Sequence, residues 1–136
     1  MNTPTNDPMG DMIRKIIPNY NPTRYGKDPM KSTTLPTYTI RLYLSGPIEV
    51  AKQLIREHVK IYPQCVTVEP TTFLYTGGEE QGYVVGLVNY PRFPSTPEVL
   101  DIFARDLAWR LLAGTFQSSA LIVTPTETTW ITDRKD

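Results

Sequence analysis

From Thr37 onward, hydrophobic and polar positions alternate with two different periods, and each change of period marks an element. Tyr38, Ile40, Leu42 and Leu44 interleave with Thr39, Arg41 and Tyr43, the period of two that belongs to a strand with one buried face. Ser45-Gly46-Pro47 ends that strand and opens a helix, with proline suited to the first helical position. Ile48, Ala51, Leu54, Ile55, Val59 and Tyr62 then recur on one helical face, Glu49, Lys52, Gln53, Arg56 and Lys60 on the other, until Pro63 stops the helix. Gln64 to Val68 begins a second strand, Glu69-Pro70 predicts a bulge or edge kink, and Thr71 to Thr76 continues it. Gly77-Gly78-Glu79-Glu80 predicts a hairpin turn and Tyr83 to Tyr90 a third strand. The stiff connector Pro91-Arg92-Phe93-Pro94 leads to Ser95-Thr96-Pro97-Glu98, a helix start in which serine caps and Glu98 reaches back. That helix runs to about Ala113, with Gly114 as its stop. Ala120 to Thr124 is a fourth strand, and Thr126 to Thr132 is extended before a charged tail, residues 133–136.

The order β-α-β-β-α-β predicts an α+β, ferredoxin-like sandwich over residues 37–132: an antiparallel four-stranded sheet with both helices on one face. Residues 1–36 carry neither period and read as a proline-rich N-terminal arm, with Pro4, Pro8, Pro18, Pro22, Pro29 and Pro36 spread through it. Asp11 to Ile17 allows one short helical turn. Met9, Met12, Ile13, Ile16, Ile17, Tyr20 and Tyr25 are more apolar anchors than a solvated tail needs. The arm is therefore either unanchored or docked on its own domain or a neighbour.

The second helix of the domain carries two apolar faces. Val99, Leu100, Phe103, Leu107 and Leu111 form the stripe expected on the sheet. Ile102, Trp109 and Phe116, spaced by sevens, gather elsewhere with Ala113. One packed face is enough for a helix on a sheet, so this second face predicts contact with the other helix, the arm or another subunit.

Composition narrows the partners. The 136 residues suffice for one domain with a real core. Fourteen basic and fourteen acidic residues balance, which removes the basic bias of a dedicated duplex-DNA binder. No apolar run approaches the roughly 20 residues of a membrane span, and the first residues hold no signal-peptide pattern. A membrane partner is not expected. A single cysteine fits a reducing compartment, with host cytoplasm the expected location.

Candidate chemistry is sparse. His58, the only histidine, sits on the first helix's apolar face and reads as a core imidazole. Cys65 reads as a buried thiol; a Cys65/His58 nucleophile-base pair is formally available but disfavoured. Neither supplies a metal set. Glu79 and Glu80, adjacent in a turn, diverge and read as a solvated tip. No catalytic site, metal or cofactor is expected, and the chain does not read as an enzyme.

Binding surfaces are more legible. Leu42-Tyr43-Leu44-Ser45-Gly46 and Gln81 to Val88 resemble the paired motifs of RNA-recognition domains. That resemblance puts Tyr43 and Tyr83, with Phe73 or Tyr75, on an open sheet face where bases stack. Arg92-Phe93, clamped by prolines, is the other candidate ligand contact, since a guanidinium reads phosphate or carboxylate bidentately. Val66 to Thr71, Tyr75 to Glu80, Asn89 to Pro94 and Thr124 to Trp130 resemble strings in a group of small bacteriophage proteins to which no activity is attached. The resemblance implies a viral accessory protein. The expectation is a non-enzymatic, homo-oligomeric phage protein that binds a host protein or a small nucleotide-like ligand. The alternatives are a single-stranded nucleic-acid module, or a virion or assembly component laced together by its arm.

Overall fold

The computed structural model describes residues 8–21, 26–28 and 30–135; Pro4, Pro22, Tyr25 and Pro29 of the expected arm lie outside them. The chain forms two units, Met1–Leu35 and Pro36–Asp136. In the first, helix α1 (Pro8–Ile16) is longer than the single turn expected and starts earlier. Proline costs nothing in a first turn, and Arg14 pairs with Asp11 one turn away. Met9, Met12, Ile16 and Ile17 are exposed.

The second unit runs β1 (Thr39–Ser45), α2 (Ile48–Ile61), β2 (Val66–Tyr75), β3 (Gly78–Val88), α3 (Pro97–Thr115), β4 (Ser119–Val123) and β5 (Thr128–Thr132). It is α+β. The sheet is antiparallel throughout and five-stranded, in the order β2-β3-β1-β4-β5. The expected sheet of four strands is thus corrected: the extended segment after Pro125 pairs with β4, whose outer edge would otherwise be left open.

Alternation sets one side of every strand against the helices. Ile40, Leu42 and Leu44 of β1 sit opposite Leu87, Val85 and Tyr83 of β3, and all six are buried. Ala120, Ile122 and Ile131 extend that floor, and Ala51, Ile55, Leu100, Leu107 and Leu111 close it from above. Where α2 and α3 cross, Gly114 lies under Leu54, whose Cδ1 is 2.5 Å from where an alanine methyl would sit. Gly114 is therefore a close-packing residue inside α3, not its stop. The helix ends at Phe116, a bulky residue in the left-handed region at φ 56°. It begins at Thr96, whose hydroxyl accepts from Val99 N at 3.2 Å, so threonine, not Ser95, caps it.

Two further expectations change with register. Pro70 causes no break, because β2 is an edge strand and Pro70 simply faces Tyr83 in an unbroken ladder. The hairpin turn is shorter than predicted: Tyr75 pairs with Gly78, leaving Thr76 and Gly77 at the tip, with Gly77 at φ 94°. Glu79 and Glu80 are consequently strand residues that point to opposite sides of the sheet.

Candidate active site

The side of the sheet away from the helices forms an open face built by residues of the other parity. One row crosses all five strands: Glu69, Val84, Tyr43, Leu121 and Trp130. Beside it, on the hairpin side, Thr71, Gly82 and Ser45 form a second row, and Phe73 and Glu80 a third. Glu80 is the focus. Ser45 donates its hydroxyl to Glu80 Oε2 at 2.6 Å, and Tyr75 donates to Oε1 at 3.4 Å, so both carboxylate oxygens are oriented from different strands. The Phe73 ring comes against Gly82: a methyl there would sit 2.5 Å from Phe73 Cε2 and closer still to the Leu44 carbonyl oxygen. The glycine is what allows the ring to lie against the sheet. The Tyr75 ring covers Gly78 in the same way, with its hydroxyl 3.2 Å from the corresponding position.

The result is a carboxylate with fixed lone pairs, walled by Phe73 and Tyr75 and continued by Tyr43 and half-exposed Trp130. Such a surface accepts hydrogen bonds from paired hydroxyls and offers aromatic faces to a flat ring or a cation. Sequence reasoning missed Glu80 and Ser45. The available signal was the Thr76-Gly77 pair: a two-residue turn there puts Glu80 on the same side as Gly82 and Val84.

The candidates named from sequence separate in space. Tyr43, Phe73 and Tyr75 come together on the open face. Tyr83 does not: it is fully buried on the helix side opposite Leu44, which removes the Tyr43/Tyr83 stacking platform. Its phenol has no hydrogen bond within normal range, and burial pushes its pKa up to about 12, opposed by the Thr115 hydroxyl. Arg92 and Phe93 sit past the far end of β3, ten residues from Gly78 along the strand, roughly 33 Å at 3.3 Å per residue. There the Arg92 guanidinium stands 5.9 Å from the Phe93 ring centre, and Phe93 is 6.1 Å from Tyr90. Ile102, Trp109 and Phe116 remain exposed at 68%, 52% and 94%, so contact with α2 does not cover them. Val99, expected on the sheet, is exposed as well, and Ala104, Ala108 and Leu112 take part in the buried stripe instead.

His58 is buried as expected, between the Tyr62 and Phe103 rings. Its Nδ1 is 3.5 Å from Arg110, which also donates to Glu57, and Nε2 is 3.5 Å from Asp106. Desolvation lowers its pKa, partly offset by Asp106 and reinforced by Arg110. Cys65, by contrast, is exposed rather than buried, because it precedes the first paired residue of β2. Among the described residues no group of three His, Cys, Asp or Glu side chains is placed to hold a metal, and no helix is long and apolar enough to cross a membrane.

No protein-family model matches the sequence, and no curated relative does. Solved structures do. A phage SAM lyase in complex with S-methyl-5'-thioadenosine superposes with a TM-score of 0.59 at 11% identity, over 80% of this chain and 99% of the other. A phage SAM lyase without ligand gives a TM-score of 0.55 at 16% identity, over 73% of this chain and 91% of the other. The fold is that of these phage proteins, in keeping with the resemblance to bacteriophage sequences. The neighbours are enzymes that degrade S-adenosylmethionine, so the expectation of a non-enzymatic binding protein, with its nucleic-acid and virion alternatives, is corrected.

Proposed function

We propose that this chain is a lyase that cleaves S-adenosylmethionine to S-methyl-5'-thioadenosine on the open face of its sheet. The observation that carries the reading is Glu80, held at both oxygens by Ser45 and Tyr75 beside the Phe73 ring. The likeness to the lyases supplies the substrate; the site supplies chemistry that suits it. A carboxylate with oriented lone pairs accepts from a ribose diol, and aromatic faces take adenine and a sulfonium.

In this reading the bond between the sulfonium sulfur and the methionyl γ-carbon breaks, and its electron pair stays on sulfur to give the neutral thioether. A lyase adds no water, so in this reading an oxygen of the substrate's own α-carboxylate bonds to the γ-carbon as the carbon–sulfur bond breaks, and a five-membered lactone leaves beside the thioether. Positive charge on sulfur disappears as the bond breaks, and before that step the aromatic wall orients the sulfonium by its ring faces. Phe73, Tyr75 and Tyr43 form this wall. Glu80 grips the ribose in ground and transition states alike, so its loss raises KM more than it lowers kcat.

The reading includes a ferredoxin-like core of β1 to β4 with β5 appended, and action in the cytoplasm of the infected host. The test is chromatography of S-adenosylmethionine incubated with the chain. S-methyl-5'-thioadenosine should accumulate, and Glu80→Gln should raise KM roughly tenfold, the loss of one charged hydrogen bond of about 1.5 kcal/mol. Intact S-adenosylmethionine together with no calorimetric binding of either nucleoside would overturn the reading.

A further inference from the structure

Phe116 stands where helices ordinarily place a glycine. Among the described residues it is the only non-glycine at positive φ, at 56°, a backbone that a bulky side chain resists. Its ring is 94% exposed, so no packing within the fold offsets the strain. Strained residues of this kind cluster at ligand clamps, and the surroundings of the ring supply one.

A cavity of about 430 Å³ opens beside it, lined by Trp109, Ala113, Phe116, Gln117, Ser118 and Asp133 among others. Trp109 is half-exposed on the same side of α3. The two aromatic residues are seven positions apart, roughly 10 Å along the helix axis at about 1.5 Å per residue. Ala113 lies between them, four positions after Trp109 and three before Phe116, and its methyl leaves the gap between the rings open. A group midway is roughly 5 Å from the level of each ring, inside the reach of about 6 Å over which an aromatic face attracts a cation.

The electrostatics of the cavity have one sign. Asp133 is the one charged side chain among its lining residues. It is exposed and makes no ion pair among the described residues. Its N–H donates to Ser118 O at 3.0 Å, which holds it just past β5, beside the end of α3. The cavity also lies against the last turn of α3, the negative end of the helix dipole, and that turn contains no basic residue. Aromatic faces, an unpaired carboxylate and a helix C-terminus together favour positive charge and disfavour an anion.

We propose that the cleft between Trp109 and Phe116 binds an alkylammonium group. Its methylenes lie against Ala113 and Leu112, and its charge sits between the two rings and Asp133. The group has the same chemistry on a free amine and on the lysine side chain of a protein partner. The site is on the opposite side of the sheet from Glu80 and stands independently of the lyase reading. The strain at Phe116 is kept because the ring is needed there.

The test is NMR titration of the intact chain at constant ionic strength, followed at the indole N–H signals of its two tryptophans, Trp109 and Trp130. The probes are n-butylammonium chloride for the free amine, N-acetyllysine methylamide for the protein side chain, and n-pentanol as a neutral chain of similar length. Both cations should shift Trp109 saturably and leave Trp130 unmoved, and the tighter of the two names the source. Phe116→Gly should weaken that binding roughly twofold to fivefold, the loss of one exposed cation–π contact, while raising the melting temperature. Asp133→Asn should weaken it by a similar factor. Three results would each overturn the proposal: no saturable Trp109 shift with either cation, an equal shift with n-pentanol, or unchanged affinity in Phe116→Gly. A fall in mass by light scattering in Phe116→Gly would also overturn it, because the ring would then be a contact between copies of the chain.

Discussion

Gly82→Ala tests whether close packing of two strands and a ring holds the site together. Gly82 faces Ser45 across the β1–β3 ladder. An added methyl meets two obstacles, the Phe73 ring at 2.5 Å and the backbone oxygen of Leu44 at still closer range. The ring can swing away. The carbonyl cannot, because Leu44 sits between β3 and β4 and is itself buried. Relief therefore requires β1 and β3 to separate, and the neighbouring Gly46 N to Gln81 O bond at 3.2 Å strains with them. Overpacking costs about 1–3 kcal/mol when side chains give way, and immovable backbone puts this case at the upper end. Against it stands the roughly 0.5–1 kcal/mol that alanine gains over glycine in a strand. The net is about 2 kcal/mol of destabilisation, or roughly 8–16 °C in melting temperature for a domain of this size. Thermal unfolding followed by circular dichroism measures it, with Gly86→Ala as the milder comparison, since only the Thr67 side chain opposes it. Adding Phe73→Ala should fail to rescue Gly82→Ala. A Gly82→Ala chain as stable as wild type, or a full rescue by Phe73→Ala, would refute the reasoning.

Other outcomes follow from single environments. Gly114→Ala gains up to about 1 kcal/mol of helix propensity against the displacement of the flexible Leu54 methyl, so chemical denaturation should place it within about 1 kcal/mol of wild type. Phe116→Gly should stabilise by about 1 kcal/mol, because φ 56° favours glycine and the 94% exposed ring has no packing to lose. The raised pKa of Tyr83 keeps its proton on the folded chain after the unfolded chain has lost it. That contribution is fully present below pH 10, is lost as pH rises from 10 to about 12, and amounts to about 3 kcal/mol at most. Tyr83→Phe should flatten the alkaline melting curve, and an unchanged curve would count against it. For His58 the pKa is lowered, so its contribution is intact above pH 6.5 and is lost as pH falls through the folded value. An imidazole titration by NMR with its midpoint at or above 6.5 would contradict the burial argument.

Helices α2 and α3 and four of the strands were legible because their signals are local. Apolar residues at 3.6 spacing, proline at helix starts and alternation over five or more positions all act through neighbours along the chain. Strand β5 was harder to read, since Thr-Thr-Trp-Ile-Thr buries only Ile131 and is made a strand by the free edge of β4. The side taken by β3 was also ambiguous, because Tyr83, Val85 and Leu87 alternate with Gly82, Val84, Gly86 and Val88. Both sets are apolar enough for a core. The bulkier one is buried, and the glycines are left to the open face, where Phe73 and Thr67 come close.

By itself the sequence determined which segments are helix or strand, where proline and glycine allow them to start and turn, and that one side of each strand is buried. Only the tertiary structure decided the site. Ser45 meets Glu80 across 35 residues because the β1–β3 register brings their ends together, and Tyr75 joins them because the β2–β3 hairpin turn is two residues shorter than the glycines and acids around it suggested. A shift of one residue would turn Glu80 to the helix side and break the cluster. Chain-local preferences fix the period of a strand but not its phase against a distant partner. Burial of the whole helix face selects that phase, and the carboxylate and its two hydroxyl donors take their places as a consequence.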